Sequence, residues 1–146
     1  MTKKIIVDSS PLIILLKSDL EYILPKLFEE IIVPEEVWQE ISVKKSNDIA
    51  AQKLPNLEWL KRTRVEFSNP IIESFGLGKG ETAVLHLALT IAESKVLLDD
   101  FAARTSSKAM KIPTLGRGGL LIMAKQNGLI PSVSESVSKV QDAGLW

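Results

Sequence analysis

Acidic residues follow two predicted strands of this sequence at the point where each strand ends. Asp8 comes directly after an apolar run at 5–7, and Asp99 and Asp100 follow another at 96–98. In an open parallel sheet, ligands bind beyond the carboxyl ends of the strands. Neighbouring strands lie roughly 4.8 Å apart, so carboxylates from both would reach a single cation. The alternative, that each acid only caps the helix that follows it, stays open at this point.

Two further acids lie on helix faces where a negative charge is unexpected. On a helical wheel, Leu85 and Ala88 fall within about 40° of Glu81, which places Glu81 on the apolar face. Glu40 lies about 20° from Val33, on the flank of an apolar stripe and near the predicted helix end, where a negative charge is disfavoured. Each acid has two interpretations. Glu81 belongs to a functional site, or it only meets the free N–H groups at the start of its helix. Glu40 belongs to a functional site, or it is an ordinary solvent-exposed residue at the edge of the core.

The other reactive residue types give weaker signals. The single histidine, His86, falls on the polar side of the Glu81 helix and is predicted to lie at the surface. This argues against serine-triad chemistry and histidine-rich metal sites. The glycines at 76–80 lack the spacing of a phosphate-binding loop and predict an ordinary loop.

Basic residues gather in the C-terminal part of the chain. They are Arg104, Lys108, Lys111, Arg117 and Lys125. A glycine turn at 116–119 follows a predicted strand and would let backbone N–H groups approach a phosphate. The pattern fits either a local phosphate-binding patch or an ordinary solvated face.

Short apolar runs alternate with helical patterns, which is typical of a parallel sheet covered by helices. Strands are predicted at 5–7, 31–33, 60–65, 96–98 and 112–115. Helices are predicted at 9–16, 19–28, from 34, at 48–54, from 80 to 93, at 101–110, 118–126 and 134–143. No repeat or linker divides the chain, so the sequence predicts one domain spanning 1–146.

Length and composition restrict the class of protein. The chain has 146 residues, of which 45% are hydrophobic and 25% charged, as in ordinary globular proteins. No apolar run approaches the roughly 18 residues of a membrane helix, and there is no cysteine. We therefore expect a cytoplasmic protein without a membrane partner. The 18 basic and 18 acidic side chains cancel, so a polyanion would need a local patch or a metal ion.

Together these residues resemble a known family. Asp8 with Ser10, Glu40 after Val-Pro-Glu-Glu-Val, the segment Gly-Glu-Thr-Ala containing Glu81, and Leu-Asp-Asp at 98–100 occur in the order seen in PIN-domain proteins. The chain is similar in particular to small stand-alone PIN proteins related to VapC-type toxins. The resemblance runs from about residue 5 to 128.

The resemblance implies a three-layer α/β/α fold with a mainly parallel sheet and a metal-dependent endoribonuclease site. Its acidic positions match Asp8, Glu40, Glu81 and one of Asp99 or Asp100. Of these, Asp8, Asp99 and Glu81 are the expected ligands of Mg²⁺ or Mn²⁺, the ions that carboxylate oxygens prefer. The residues expected to contact substrate are Ser10, which matches the hydroxyl supporting the first aspartate, Arg104 and Arg117. The expected partners are RNA, a second copy of the chain in a homodimer, and a protein antitoxin if the chain is a toxin.

Two other classes of function remain open at this stage. One is a PIN module that binds RNA or protein without cutting it. The other is a Mg²⁺-dependent phosphatase or phosphotransferase for small molecules, because a strand-end aspartate also serves that chemistry. The size of the substrate distinguishes these classes.

Overall fold

The computed structural model describes residues 4–43 and 48–142. Five parallel strands form one sheet in the order β3-β2-β1-β4-β5. The strands are β1 (Lys4–Val7), β2 (Glu30–Pro34), β3 (Leu60–Thr63), β4 (Ser94–Leu97) and β5 (Thr114–Leu115). The predicted α/β fold with a parallel sheet is confirmed.

Helices connect the strands and cover the sheet. They are α1 (Ser9–Lys17), α2 (Ile23–Leu27), α3 (Glu35–Ser42), α4 (Ile49–Lys53), α5 (Pro70–Ser74), α6 (Lys79–Thr90), α7 (Phe101–Ala109), α8 (Arg117–Gln126) and α9 (Val133–Asp142). None of the described helices is long and apolar enough to cross a membrane.

The central strands are buried on both faces, which explains their continuous apolar sequences. Ile5 and Ile6 of β1 are fully buried, as are Val96 and Leu97 of β4. Their registers pair Val7 with Leu97, so β1 and β4 end side by side. The residues that follow β1 and β4 therefore lie next to each other at one edge of the sheet.

Some predicted boundaries need correction, and one helix was not predicted. The helix predicted at 19–28 is shorter, because Asp19 adopts a left-handed conformation (φ 56°) and α2 begins only at Ile23. The loop predicted at 76–80 ends early, because α6 begins at Lys79 and takes Gly80 into its first turn. Helix α5 was not predicted; it is five residues long and is capped by Asn69, whose side chain accepts the N–H groups of Ile71 and Ile72.

The prediction that His86 lies at the surface is wrong. Its exposure is 4%, and its Nε2 accepts a hydrogen bond of 3.0 Å from the backbone N–H of Asn69. The ring of Phe67 meets it edge-on, with centroids 6.3 Å apart. The segment that leads into α5 folds back over this face of α6 and buries His86, which the helical wheel had placed on the exposed side.

Candidate active site

A cavity of about 410 Å³ opens at the carboxyl ends of β1 and β4. Its lining is largely acidic and consists of Asp8, Ser9, Ser10, Glu40, Gly78, Gly80, Glu81, Asp99, Asp100 and Arg117. The structure thus brings all five sequence-predicted acids to one place, as parallel strand ends require. Four helices of at least nine residues, α1, α6, α7 and α8, begin at this cavity.

Asp8 is the most deeply buried of these acids, at 3% exposure. It precedes α1 but makes no side-chain capping bond, and its Oδ1 has no hydrogen-bond partner. Burial raises its pKa to about 7, against the effect of the Ser9 backbone N–H and with smaller contributions from Glu81, Glu40 and Asp99. A buried, unpartnered carboxylate oxygen is costly unless a ligand completes it.

The structure separates the two adjacent aspartates that the sequence left undecided. Asp100 Oδ2 accepts the N–H of Ala103 at 3.0 Å and so caps α7. Asp99 turns the other way. Its Oδ1 accepts the Arg117 N–H at 3.3 Å, while its Oδ2 is buried without a hydrogen bond. Burial raises the pKa of Asp99, although the nearby Arg117 and Arg104 lower it.

Glu40 is held in the cavity by a hydroxyl that the sequence did not single out. Ser9 Oγ donates to Glu40 Oε2 at 2.8 Å, whereas Ser10, predicted to support Asp8, lies exposed on the cavity wall. A Cβ at Gly80 would overlap with Glu40 Oε1 and lie 3.3 Å from Asp8 Oδ1. Gly80 therefore makes room for the Glu40 carboxylate, a role visible only once α3 and α6 are packed together.

Glu81 makes a contact at the start of its helix and also lines the acidic cavity. Its Oε1 accepts the N–H of Gly78 at 3.3 Å, which is a helix-start contact. It also lines the acidic cavity, where burial raises its pKa, with Asp100 and Glu40 adding to the effect of burial and the Gly78 N–H opposing it.

A second cavity, of about 440 Å³, adjoins the first and shares Asp99 and Arg117 with it. Arg104, Thr114 and Gly116 complete the part of its wall nearest the site, and Gly118 and Gly119 continue it along the start of α8. The guanidinium group of Arg104 passes close to Gly116, where a Cβ would lie 3.0 Å from Nη1. Of the five basic residues that the sequence grouped together, only Arg104 and Arg117 line these two cavities.

Comparison with known proteins identifies the family. A family model described as "DUF3368: PIN domain" matches residues 4–146. The chain belongs to this PIN-domain family. Among solved structures, it is similar to the one titled "Structure of the PIN domain endonuclease Utp24", with 12% sequence identity and a TM-score of 0.59. That match covers 79% of this chain and 85% of the other, and at this identity it supports the PIN fold alone. No curated protein matches.

Family membership supports a nuclease-type function in general terms, so the fit of this PIN domain to a divalent cation matters. Among residues 4–43 and 48–142, no group of three or more acidic or histidine side chains is arranged to hold a metal ion. The donor chemistry nevertheless fits Mg²⁺ or Mn²⁺, which take few carboxylates and keep several waters. Asp8 Oδ1 and Asp99 Oδ2 are buried at the same cavity and accept no hydrogen bond in the described part of the chain, although Arg117 Nη1 lies 4.0 Å from Asp99 Oδ2, so they are the best-placed ligands.

Proposed function

We propose that this PIN domain is a Mg²⁺- or Mn²⁺-dependent endoribonuclease. The observation that carries the proposal is the pair of buried aspartate oxygens, Asp8 Oδ1 and Asp99 Oδ2, which accept no hydrogen bond from the described residues and lie at one cavity. Two such groups in one site are stabilised when a cation neutralises them. The PIN domain of similar fold belongs to an endonuclease, an enzyme that cuts within a strand, which is consistent with this proposal.

Each acid has a distinct part in the proposed reaction. Asp8 and Asp99 would hold the cation, with Glu81 as a further ligand. A bound Mg²⁺ or Mn²⁺ lowers the pKa of a water molecule and offsets the negative charge of a phosphodiester. Glu40 Oε2 is occupied by the Ser9 hydroxyl, which leaves Glu40 Oε1 to orient the attacking water and accept its proton. Asp100 keeps α7 in place by capping it.

The basic cavity next to the acids favours a polymer as substrate. Arg104 and Arg117 would contact the phosphate that neighbours the scissile one, and the α8 N-terminus adds its partial positive charge. A small phosphomonoester has no second phosphate to place there. RNA binding would therefore gain from this cavity, whereas a phosphatase substrate would not.

The decisive experiment is incubation of the purified protein with single-stranded and structured RNA in Mg²⁺, in Mn²⁺ and in a chelator, beside a small phosphoester. We expect RNA cleavage only with the divalent ions and no phosphate release from the small ester. Phosphate release with intact RNA would assign the protein to the phosphatase class. RNA that is bound but uncut under every metal condition would identify a non-catalytic binding module.

Serine replacement tests the position of Glu40. We expect Ser9→Ala to lower kcat by roughly 10-fold, as loss of a bond that orients a site carboxylate typically does. Ser10→Ala is the matched control and should change kcat less, since no bond from its hydroxyl to the acids is present. The reverse order of effects would restore the family-derived assignment of Ser10. Both rates are measured with the same RNA at saturating Mn²⁺.

Arginine replacement tests the phosphate contacts. Arg104→Ala and Arg117→Ala are each expected to reduce the salt dependence of RNA affinity by about one phosphate contact. Lys125→Ala, an exposed residue of α8 outside both cavities, is the control and should leave the slope unchanged. Affinity is measured by fluorescence anisotropy across a salt series. An equal slope for all four proteins would remove the basic cavity from the binding site.

The proposal extends to the biological setting. We include a toxin role controlled by a protein antitoxin, a homodimeric state and a cytoplasmic location. The resemblance to VapC-type proteins supports the first two, and a sequence without cysteine supports the last.

A further inference from the structure

Phe101 is the most exposed large apolar side chain in the described part of the chain, at 84%. It is the first residue of α7 and directly follows Asp100 of the acidic cavity. The buried face of α7 includes Ala103, from which Phe101 lies about 160° around the helix. Core packing therefore does not account for an apolar side chain at this position. The residues that surround it on the surface indicate what it could bind.

Phe101 has an acid on one side, Asp100, and an arginine on the other. Arg104 lies three residues further along α7, so the two side chains are adjacent on the helix surface. Arg104 also lines the basic cavity with Arg117, and its Nε is buried without a hydrogen-bond partner. The partial positive charge of the α7 N-terminus is offset by the Asp100 cap, so the arginines supply the positive charge here. An exposed aromatic ring beside arginines is the combination that binds single-stranded nucleic acid.

A second exposed phenylalanine has the opposite surroundings. Phe67, at 44% exposure, lines a cavity of about 480 Å³ whose charged residues are mainly acidic. Glu36, Glu66 and Glu73 lie there with a single lysine, Lys79. Such a surface repels phosphates, and the Phe67 ring already contacts His86. The arginines beside Phe101 therefore distinguish it from Phe67, whose cavity is lined by no arginine among the described residues.

We propose that Phe101 stacks on a nucleobase of the substrate strand, next to the phosphate held by Arg104 and Arg117. The inference rests on the proposed function and narrows its substrate class to single-stranded RNA. A base within an A-form duplex is already stacked on both sides, whereas an unpaired base is available to an aromatic side chain. Phe101 thus positions the strand, and the acids act on its backbone.

Stacking makes a quantitative prediction for binding. Base–aromatic stacking is lost in Phe101→Ala, which should weaken binding of single-stranded RNA by roughly 5- to 100-fold. Phe101→Trp keeps an aromatic face and should bind at least as tightly as the unmodified protein. Turnover should change mainly in KM, because the ring contacts the base before and during the reaction alike.

The test uses short labelled RNAs, each with one base removed to leave an abasic ribose. Affinities are measured in a chelator, where no cleavage occurs, for the unmodified protein, Phe101→Ala, Phe101→Trp and the control Phe67→Ala. We expect one abasic position to weaken binding to the unmodified protein, Phe101→Trp and Phe67→Ala. The same position should have no effect on Phe101→Ala, which has already lost the contact.

Identical abasic profiles for the unmodified protein and Phe101→Ala would overturn the inference, even if both proteins cleave RNA. An unchanged RNA affinity together with a shift from dimer to monomer in light scattering would also overturn it, because the ring would then cover a second copy of the chain. Failure of all the proteins to bind RNA would overturn both proposals. A position-specific profile without cleavage in Mn²⁺ would uphold the stacking contact and reject the endoribonuclease.

Discussion

Replacing Asp8 with asparagine is expected to abolish RNA cleavage while raising the melting temperature of the metal-free protein. The variant loses a carboxylate that would hold the cation, so activity should fall by roughly 100-fold or more. Ionised Asp8 is buried with an unpartnered oxygen, and the amide removes that charge. Mn²⁺ at 100 times its Kd would stabilise the unmodified protein by about 2.7 kcal/mol, a gain that the variant should lose.

The stabilisation by Asp8→Asn should depend on pH with a definite sign. The pKa of Asp8 is about 7 in the folded chain and near 3.8 when unfolded, so the folded form binds the proton more tightly. The contribution of Asp8 to the free energy of unfolding of the metal-free protein is fully present below pH 4. It is lost as the pH rises through 7, by at most roughly 1.4 kcal/mol per pH unit. The advantage of the variant should therefore be larger at pH 8 than at pH 5.

Thermal unfolding in a chelator and in Mn²⁺ measures both effects of Asp8→Asn. Asp142→Asn, which changes an exposed aspartate at the end of α9, is the control and should behave like the unmodified protein. An undiminished Mn²⁺-dependent shift in Asp8→Asn would place the ion elsewhere.

Gly80→Ala is expected to lower activity by roughly 100-fold without destabilising the fold. Alanine is a better helix former than glycine by about 1 kcal/mol, so α6 itself should gain stability. The added Cβ meets Glu40 Oε1, the end of a flexible side chain that can swing away. Displacing the carboxylate that is proposed to accept the proton should cost about two orders of magnitude in rate.

A second substitution tests this explanation of Gly80. Glu40→Asp shortens the displaced side chain by one methylene and should recover part of the activity when combined with Gly80→Ala. Single-turnover cleavage and thermal unfolding are measured for each single variant and for the pair. Full activity in Gly80→Ala, or a lower melting temperature with no rescue, would show that Gly80 serves packing and not the placement of Glu40.

The predictable part of the site follows from strand ends. That Asp8 and Asp99 line one cavity was predictable, because a parallel sheet delivers the residues after its strands to one edge, whatever the loops do. Asp99 was the expected ligand, but the different surroundings of Asp99 and Asp100 were not predictable, since they depend on which carboxylate meets the first N–H groups of α7. Ser9 was missed for a related reason: α1 and α3 must pack before its hydroxyl faces Glu40.

The wrong prediction for His86 has a different cause. A helical wheel assigns exposure from the helix alone, and α6 carries polar residues beside His86. The segment that covers it, around Asn69 and Phe67, has no apolar periodicity of its own, so nothing local predicted that it would fold back. The prediction of helix at 19–22 also failed for a reason that the sequence does not display. The left-handed turn at Asp19 comes from a residue type that helices also tolerate.

Helices α1, α6, α7 and α8 all begin at the acidic cavity. Their N-termini would allow the protein to stay folded without a bound metal ion. Backbone dipoles at these helix ends offset part of the carboxylate charge permanently. A zinc finger, by contrast, unfolds when its ion leaves. Under the proposed function, this chain would stay folded without its ion and would gain activity as free Mg²⁺ or Mn²⁺ rises. Its output would then follow the ion supply of the cell within moments, with no new synthesis and no degradation.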